Sequence, residues 1–165
     1  MSPSESEDTL VQELEVLLAT APAQKDGTKN LDAALDRILA AFDCVLGTIH
    51  LLDPETGLLR LAAERGLPPV VAEKVQTVPV GKGMAGIAAE RMEPVQVCNL
   101  QTDDSGVARP KASETLMEGC ISAPIIVDGQ LRGAFGVAKP HAYEFTAAET
   151  ALLLRVGSTL GRAVS

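Results

Sequence analysis

The run Cys120–Val127, the dipeptide Asp128-Gly129 and the run Leu131–Ala138 constrain the fold more than any other stretch. Two apolar runs joined by Asp-Gly predict a tight β-hairpin, because the two-residue type I′ turn needs left-handed backbone at both central positions. A second hairpin is predicted upstream. Cys44–Asp53 is rich in β-branched and apolar residues, Asp53-Pro54-Glu55-Thr56-Gly57 is a turn, and Leu58–Arg65 returns as the partner strand. Pro94–Cys98 adds a short strand.

Helices frame these strands. Ser4 and Glu7 make an S-x-x-E capping box, and Leu10, Leu14, Leu17 and Leu18 recur at helical spacing, predicting a helix over residues 4–21. After the loop Ala21–Thr28, Asn30 is placed to cap a second helix whose Leu31, Leu35, Ile38, Leu39 and Phe42 share one face. Thr146 and Glu149 cap a last helix, with Leu152, Leu153, Val156 and Leu160 as its apolar face. Residues 69–76 and Gly81–Arg91 predict shorter helices, and Asn99–Glu118 a polar loop. This order predicts an α+β fold, a central antiparallel sheet whose first and last helices cover one face. The first helix, acidic outside and set off by a loop, reads as an appendage over residues 1–24, with the core domain over 25–165.

Composition excludes several partners. Only 2% of residues are aromatic, with no Trp, which leaves little surface for stacking bases. Net charge is −8, and residues 1–24 hold Glu5, Glu7, Asp8, Glu13 and Glu15 without a base. Such a chain is repelled by phosphate backbones and anionic headgroups, so neither nucleic acid nor membrane is an expected partner. No stretch has the length of a membrane span and the acidic start lacks a signal-peptide layout, so the cytoplasm is the expected location. Cys44, Cys98 and Cys120 have no metal-ligand spacing with His50 or His141. Buried reduced thiols are expected, with no metal and no cofactor.

Several ordered blocks resemble the GAF domain family. They are the Asp53–Gly57 turn with its following strand, Val78-Pro79-Val80-Gly81-Lys82-Gly83-Met84-Ala85-Gly86, Glu93-Pro94-Val95 with Cys98-Asn99-Leu100, Gly119–Ile125 with Leu131-Arg132-Gly133-Ala134, and Glu144–Glu149. The resemblance runs from about Leu31 to Arg162. Gly81–Gly86 also satisfies G-x-G-x-x-G, yet a dinucleotide site needs a parallel strand before it and an acidic residue on the next strand. Here the preceding run holds Pro79, and Asp103 and Asp104 fall in a loop. The glycines therefore read as a tight turn with close helix packing, while Lys82 at a helix N-terminus offers a weaker anion contact.

Alternation splits the strands into faces. Val45, Gly47, Ile49, Leu51, Ile121, Ala123, Phe135 and Val137 suit packing under the terminal helices. The opposite set is small or mildly polar, which leaves room for a ligand. The resemblance implies a pocket between that face and the loop. Its expected lining is Leu46, Thr48, His50, Cys120, Ser122, Gly136 and Ala138, under a lid offering Asn99, Gln101, Asp103, Asp104, Ser105, Arg109, Lys111 and Ser113. His50 is either a satisfied core histidine or a ligand contact, and the lid residues are either contacts or a solvated loop. Arg109, with its fork of donors, suits an anionic ligand.

Free methionine-R-sulfoxide reductases are the enzymatic relatives against which the chain can be compared. The resemblance to them implies a Cys in the glycine motif, loop cysteines and pocket carboxylates. This chain has Ala85 in the motif, no Cys between Asn99 and Gly119, Gly136 and Ala138 where acids would stand, and Cys120 in place of a Glu. No nucleophile–base pair converges on the pocket, so a non-catalytic sensor of an unidentified small molecule is expected. The rival is a dimerisation scaffold. Leu10, Leu14, Leu17 and Leu18 have no evident place in the core fold, so the first helix is expected to pair with the last in a homodimer. A separate signalling protein is the expected downstream partner.

Overall fold

The structure is a computed structural model and describes residues 3–20, 31–99, 101 and 117–164. Its elements are α1 (Pro3–Thr20), α2 (Leu31–Phe42), β1 (Leu46–Leu52), β2 (Leu58–Arg65), α3 (Pro69–Lys74), β3 (Thr77–Pro79), α4 (Gly83–Arg91), β4 (Val95–Val97), β5 (Gly119–Val127), β6 (Gln130–Lys139) and α5 (Ala147–Val164). Six strands make one antiparallel sheet in the order β3-β2-β1-β6-β5-β4. Both expected hairpins form. Asp128 and Gly129 have φ of 52° and 76°, the combination a type I′ turn demands. Residues 77–79 form a strand where none is expected. Pro79 disguises it, but β3 lies at the sheet edge, where a missing N–H breaks no ladder.

One face of the sheet carries the main core. Ile49, Ile121, Ala123, Ile125, Phe135 and Val137 pack there with Leu35, Ile38, Leu153, Val156 and Leu160 of α2 and α5. α5 sits close because it is glycine-lined: a Cβ on Gly157 would lie 2.9 Å from the Pro124 carbonyl oxygen. Its capping box forms as expected. Glu149 N–H donates to Thr146 Oγ1 at 3.1 Å and Thr146 N–H to Glu149 Oε1 at 2.9 Å. α1 already begins at Pro3, so Ser4 lies within the helix and not at the cap position expected of it, and the expected cap Asn30 lies outside the described residues.

α1 is not an appendage. Leu10, Leu14 and Leu18 are buried in the same core as α2 and α5, and only Leu17 of the expected stripe stays half-buried. The layer of α2 and α5 over the sheet leaves an apolar groove of its own, and α1 fills it. Two of its acids point outward and pair across the helices, Glu13 with Arg37 and Asp8 with Arg155 at 2.7 Å. Exposed pairs of this kind contribute about 1 kcal/mol or less, so the leucines hold the helix. Among the described residues, no helix is long and apolar enough to cross a membrane.

Candidate functional site

The opposite face carries α4. Register sorts its central strands into three rows: Leu46, Ala138, Cys120 and Val97; then Thr48, Gly136, Ser122 and Val95; then His50, Ala134 and Pro124. The first row closes into an apolar cluster with Leu67, Met84 and Met117. On the other side Ala134 joins Leu59, Val78 and Ala89, with Val75 and Ala85 against them. Thr48 and Gly136 lie between these clusters and keep partial exposure to solvent, although they stand on the middle strands of a six-stranded sheet. Ser122 beside them is buried, and a Cβ on Gly136 would come within 3.0 Å of its Oγ.

Of the expected lining, Thr48, Gly136, Ser122 and His50 thus meet at one place. Leu46, Cys120 and Ala138 pack against one another beside it. At the lid, the Asn99 amide donates to Glu118 Oε1 at 3.2 Å and Gln101 Nε2 to the Met117 carbonyl at 2.7 Å, clasping the feet of the 99–118 loop. Asp103, Asp104, Arg109 and Ser113, with Ser105 and Lys111, lie outside the described residues.

His50 is only half satisfied. Its Nε2 lies 2.8 Å from the Val75 carbonyl, and a carbonyl only accepts, so this nitrogen carries the proton. Burial pushes the imidazole pKa down, opposed by that carbonyl, so the ring is neutral at neutral pH. Nδ1 is then a buried lone pair without a partner, a condition that costs about 1–3 kcal/mol. The β1–β2 register shifts between Ile49 and His50, skipping Ala62. Such bulges re-aim side chains. No sequence signal pointed to Val75, because its contribution is a backbone carbonyl.

The glycine motif is a structural turn. Gly81 and Gly83 have φ of 94° and 66°, and a Cβ on Gly86 would sit 2.4 Å from the Pro79 carbonyl oxygen. Gly81 N–H donates to the Gly86 carbonyl at 2.7 Å, and β3 runs antiparallel to β2, so the βαβ unit of a dinucleotide site does not form here. α4 opens without a side-chain cap.

The thiols divide. Cys44 and Cys120 are buried, whereas Cys98, at the end of the short edge strand β4, is exposed, contrary to the expectation of three buried thiols. Burial pushes the Cys120 thiol up to about 12, and Cys44 up to about 11 despite nearby Lys139. A thiol reagent on the native protein is therefore expected to label Cys98 at least tenfold faster than the other two. Peptide mass spectrometry reads this, and equal labelling of Cys120 would show that its site opens readily. Among the described residues, no group of His, Cys, Asp and Glu forms a metal site.

One buried cation ties the sheet to two helices. Lys139 Nζ donates to the carbonyls of Phe42 (2.5 Å) and Asp43 (3.2 Å), satisfying the C-terminal end of α2. It also lies 4.5 Å from the Tyr143 ring centroid, and Tyr143 Oη donates to Glu149 Oε1 at the start of α5.

No curated protein matches the chain. The GAF domain model matches residues 28–165. Among solved structures, the chain is similar to the GAF domain of a phosphoenolpyruvate-protein phosphotransferase from Coxiella burnetii, at 21% identity over 99% of this chain and 95% of that one, with a TM-score of 0.80. The corresponding domain from Acinetobacter gives 19%, 99%, 94% and 0.78. The free methionine-R-sulfoxide reductase of Neisseria meningitidis, solved with its substrate, gives 18%, 99%, 92% and 0.76. At these identities the likeness is one of fold. Sheet order, flanking helices and the match over residues 28–165 agree: the chain belongs to the GAF domain family.

Proposed function

We propose that this GAF domain is a non-catalytic sensor that binds a small molecule on the α4 face of its sheet, at the row Thr48–Gly136–Ser122, beneath the 99–118 loop. The observation that carries this reading is the partial exposure of Thr48 and Gly136 between two closed apolar clusters. A sheet face filled only for packing has no reason to leave its middle row open. Against catalysis stand the raised Cys120 thiol and Ala85 in the glycine motif; the one carboxylate that register sets beside Thr48, Glu64 on β2, accepts from the Leu67 N–H at 3.3 Å. The signal has a physical route. Gly136 and Ala138 belong to the strand that ends at Lys139, which holds the end of α2 and reaches Tyr143 and so the start of α5. A separate signalling protein would read those helices.

A thermal-shift screen of nucleotides, small anions, amino acids and organic acids tests this. A ligand at a hundred times its Kd is expected to raise Tm by roughly 5–10 °C. Gly136→Ala, which places a methyl beside Ser122 Oγ, is expected to weaken that shift while the ligand-free protein stays folded. Silence across the panel, with native mass spectrometry showing an empty chain, would remove the sensor reading.

A second reading is a homodimer paired through α1 and α5. It is supported by a cleft of about 240 Å³ between them, lined by Glu15, Leu18, Ala19, Thr159, Arg162 and Ala163, and by Val16, which is 62% exposed on α1. The two readings are compatible.

A further inference from the structure

We propose that the ligand of this site is a small organic cation, an amine or guanidine that pairs with the Glu64 carboxylate and carries a second polar group to the Thr48 or Ser122 hydroxyl. This rests on the sensor reading and deepens it by naming the ligand's charge. Register puts Glu64 opposite Thr48, so β2 extends the open row to Glu64–Thr48–Gly136–Ser122, one residue from each of four neighbouring strands. The face taken by the carboxylate is fixed twice over. The next residue, Arg65, reaches the α2 side, where it meets Asp36 at 2.8 Å and Asp32 at 3.5 Å, and alternation sends Glu64 to the other. Glu64 Oε2 also accepts from the Leu67 N–H at 3.3 Å, and Leu67 packs on the apolar cluster of the first row.

That bond pins one carboxylate oxygen and leaves the other. Oε1 has no hydrogen-bond partner among the described residues, and no ion pair there reaches Glu64. The residue stays half-buried, as do Thr48 and Gly136 beside it. The arginines nearest in the chain are committed elsewhere, Arg60 to Asp53 at 2.9 Å and Arg65 on the far face. Lys74, at the end of α3, and Lys82, just before α4, are exposed. Glu118, at the foot of the loop, is a second acid, and its Oε1 accepts from the Asn99 amide. A half-buried carboxylate without a cation is stabilised by an incoming one, more than on an open surface because less water screens the pair. An anion at the same place is repelled. Neighbouring strands lie about 4.8 Å apart, so Thr48 stands about one spacing from Glu64 and Ser122 about three. A nitrogen and a second polar group separated by a few carbons fit this row.

Amide NMR of the full chain tests this with aminopentanol, pentanediol and hydroxypentanoate. Each is an unbranched five-carbon chain with a hydroxyl at one end; the other end is an ammonium, a hydroxyl or a carboxylate. Aminopentanol is expected to move the amides of Glu64, Thr48, Gly136 and Ser122 along one saturation curve, about fivefold tighter or more than either other probe. Glu64→Gln keeps an oxygen for the Leu67 N–H and removes the charge, so it is expected to cut that affinity about fivefold or more at unchanged Tm. The amide of Glu55, on the exposed β1–β2 turn, is the control for cations gathering on a chain of net charge −8. If Glu55 follows the same curve as the row, binding is diffuse and the assignment is overturned. If pentanediol binds as well as aminopentanol, or Glu64→Gln leaves the affinity unchanged, the pocket stands and the role given to Glu64 is overturned. Tighter binding of hydroxypentanoate reverses the sign of the charge and overturns it as well. If no probe moves the row, this assignment falls, and the thermal-shift panel decides separately whether the sensor reading falls with it.

Discussion

Gly133→Ala is expected to lower stability by about 3 kcal/mol, near the upper end of ordinary overpacking, and Tm by roughly 6–12 °C. A Cβ at Gly133 would lie 2.1 Å from the His50 carbonyl oxygen and 3.1 Å from Leu51 Cα. Both are backbone atoms of the adjacent strand, so no rotamer can move aside. Gly133 pairs with Leu51 on one side and Ile125 on the other, which means the sheet cannot relieve the clash by shifting outward. β1 and β6 would have to part beside His50, loosening the row below the proposed site. The control is Gly129→Ala in the hairpin turn. Its φ is +76° and no atom lies within 4 Å of the added Cβ, so only left-handed strain of about 1–2 kcal/mol is expected. Thermal or urea unfolding of the two variants ranks them. An equal loss would show that the β1–β6 spacing is softer than its geometry implies.

Much of this fold is legible wherever a period or a turn leaves a local signature. The Asp128-Gly129 hairpin, the two faces of β1, β5 and β6, and the buried stripes of α2 and α5 follow from alternation, helical spacing and turn chemistry alone. What a stripe packs against is not local. The leucines of α1 announce an amphipathic helix, but whether its partner is the same chain or a second copy depends on the groove that α2 and α5 leave. The pocket face shows the same ambiguity. Small side chains such as Ala134 and Ala138 leave room, and room suits a helix as well as a ligand. α4 takes part of it, with Met84 over the first row and Ala85 and Ala89 against the third. Only the register, which brings Thr48, Gly136 and Ser122 into one row, separates floor from filler. Val75 was invisible for a different reason: its carbonyl is the contact, and every residue has one.

The burial of Leu14 changes how dimerisation has to be tested. Its side chain is fully buried among α1, α2 and α5, so Leu14→Ala is expected to cost about 2–5 kcal/mol in the chain itself. Deleting residues 1–24 would remove that packing with Leu10 and Leu18 as well. A truncated chain that failed to dimerise would then report a damaged core as readily as a lost interface. Val16 separates the two effects. It lies on the solvent side of the same helix, where a substitution typically shifts stability by about 0.5 kcal/mol or less. If α1 and α5 pair between copies, Val16→Asp places a charge in the apolar part of that contact, and light scattering should read half the mass at unchanged Tm. If the mass is already that of one chain, or does not move with Val16→Asp, that face of α1 is not the interface. The leucines would then be accounted for by the fold of a single chain, since their apolar surface is already covered within it.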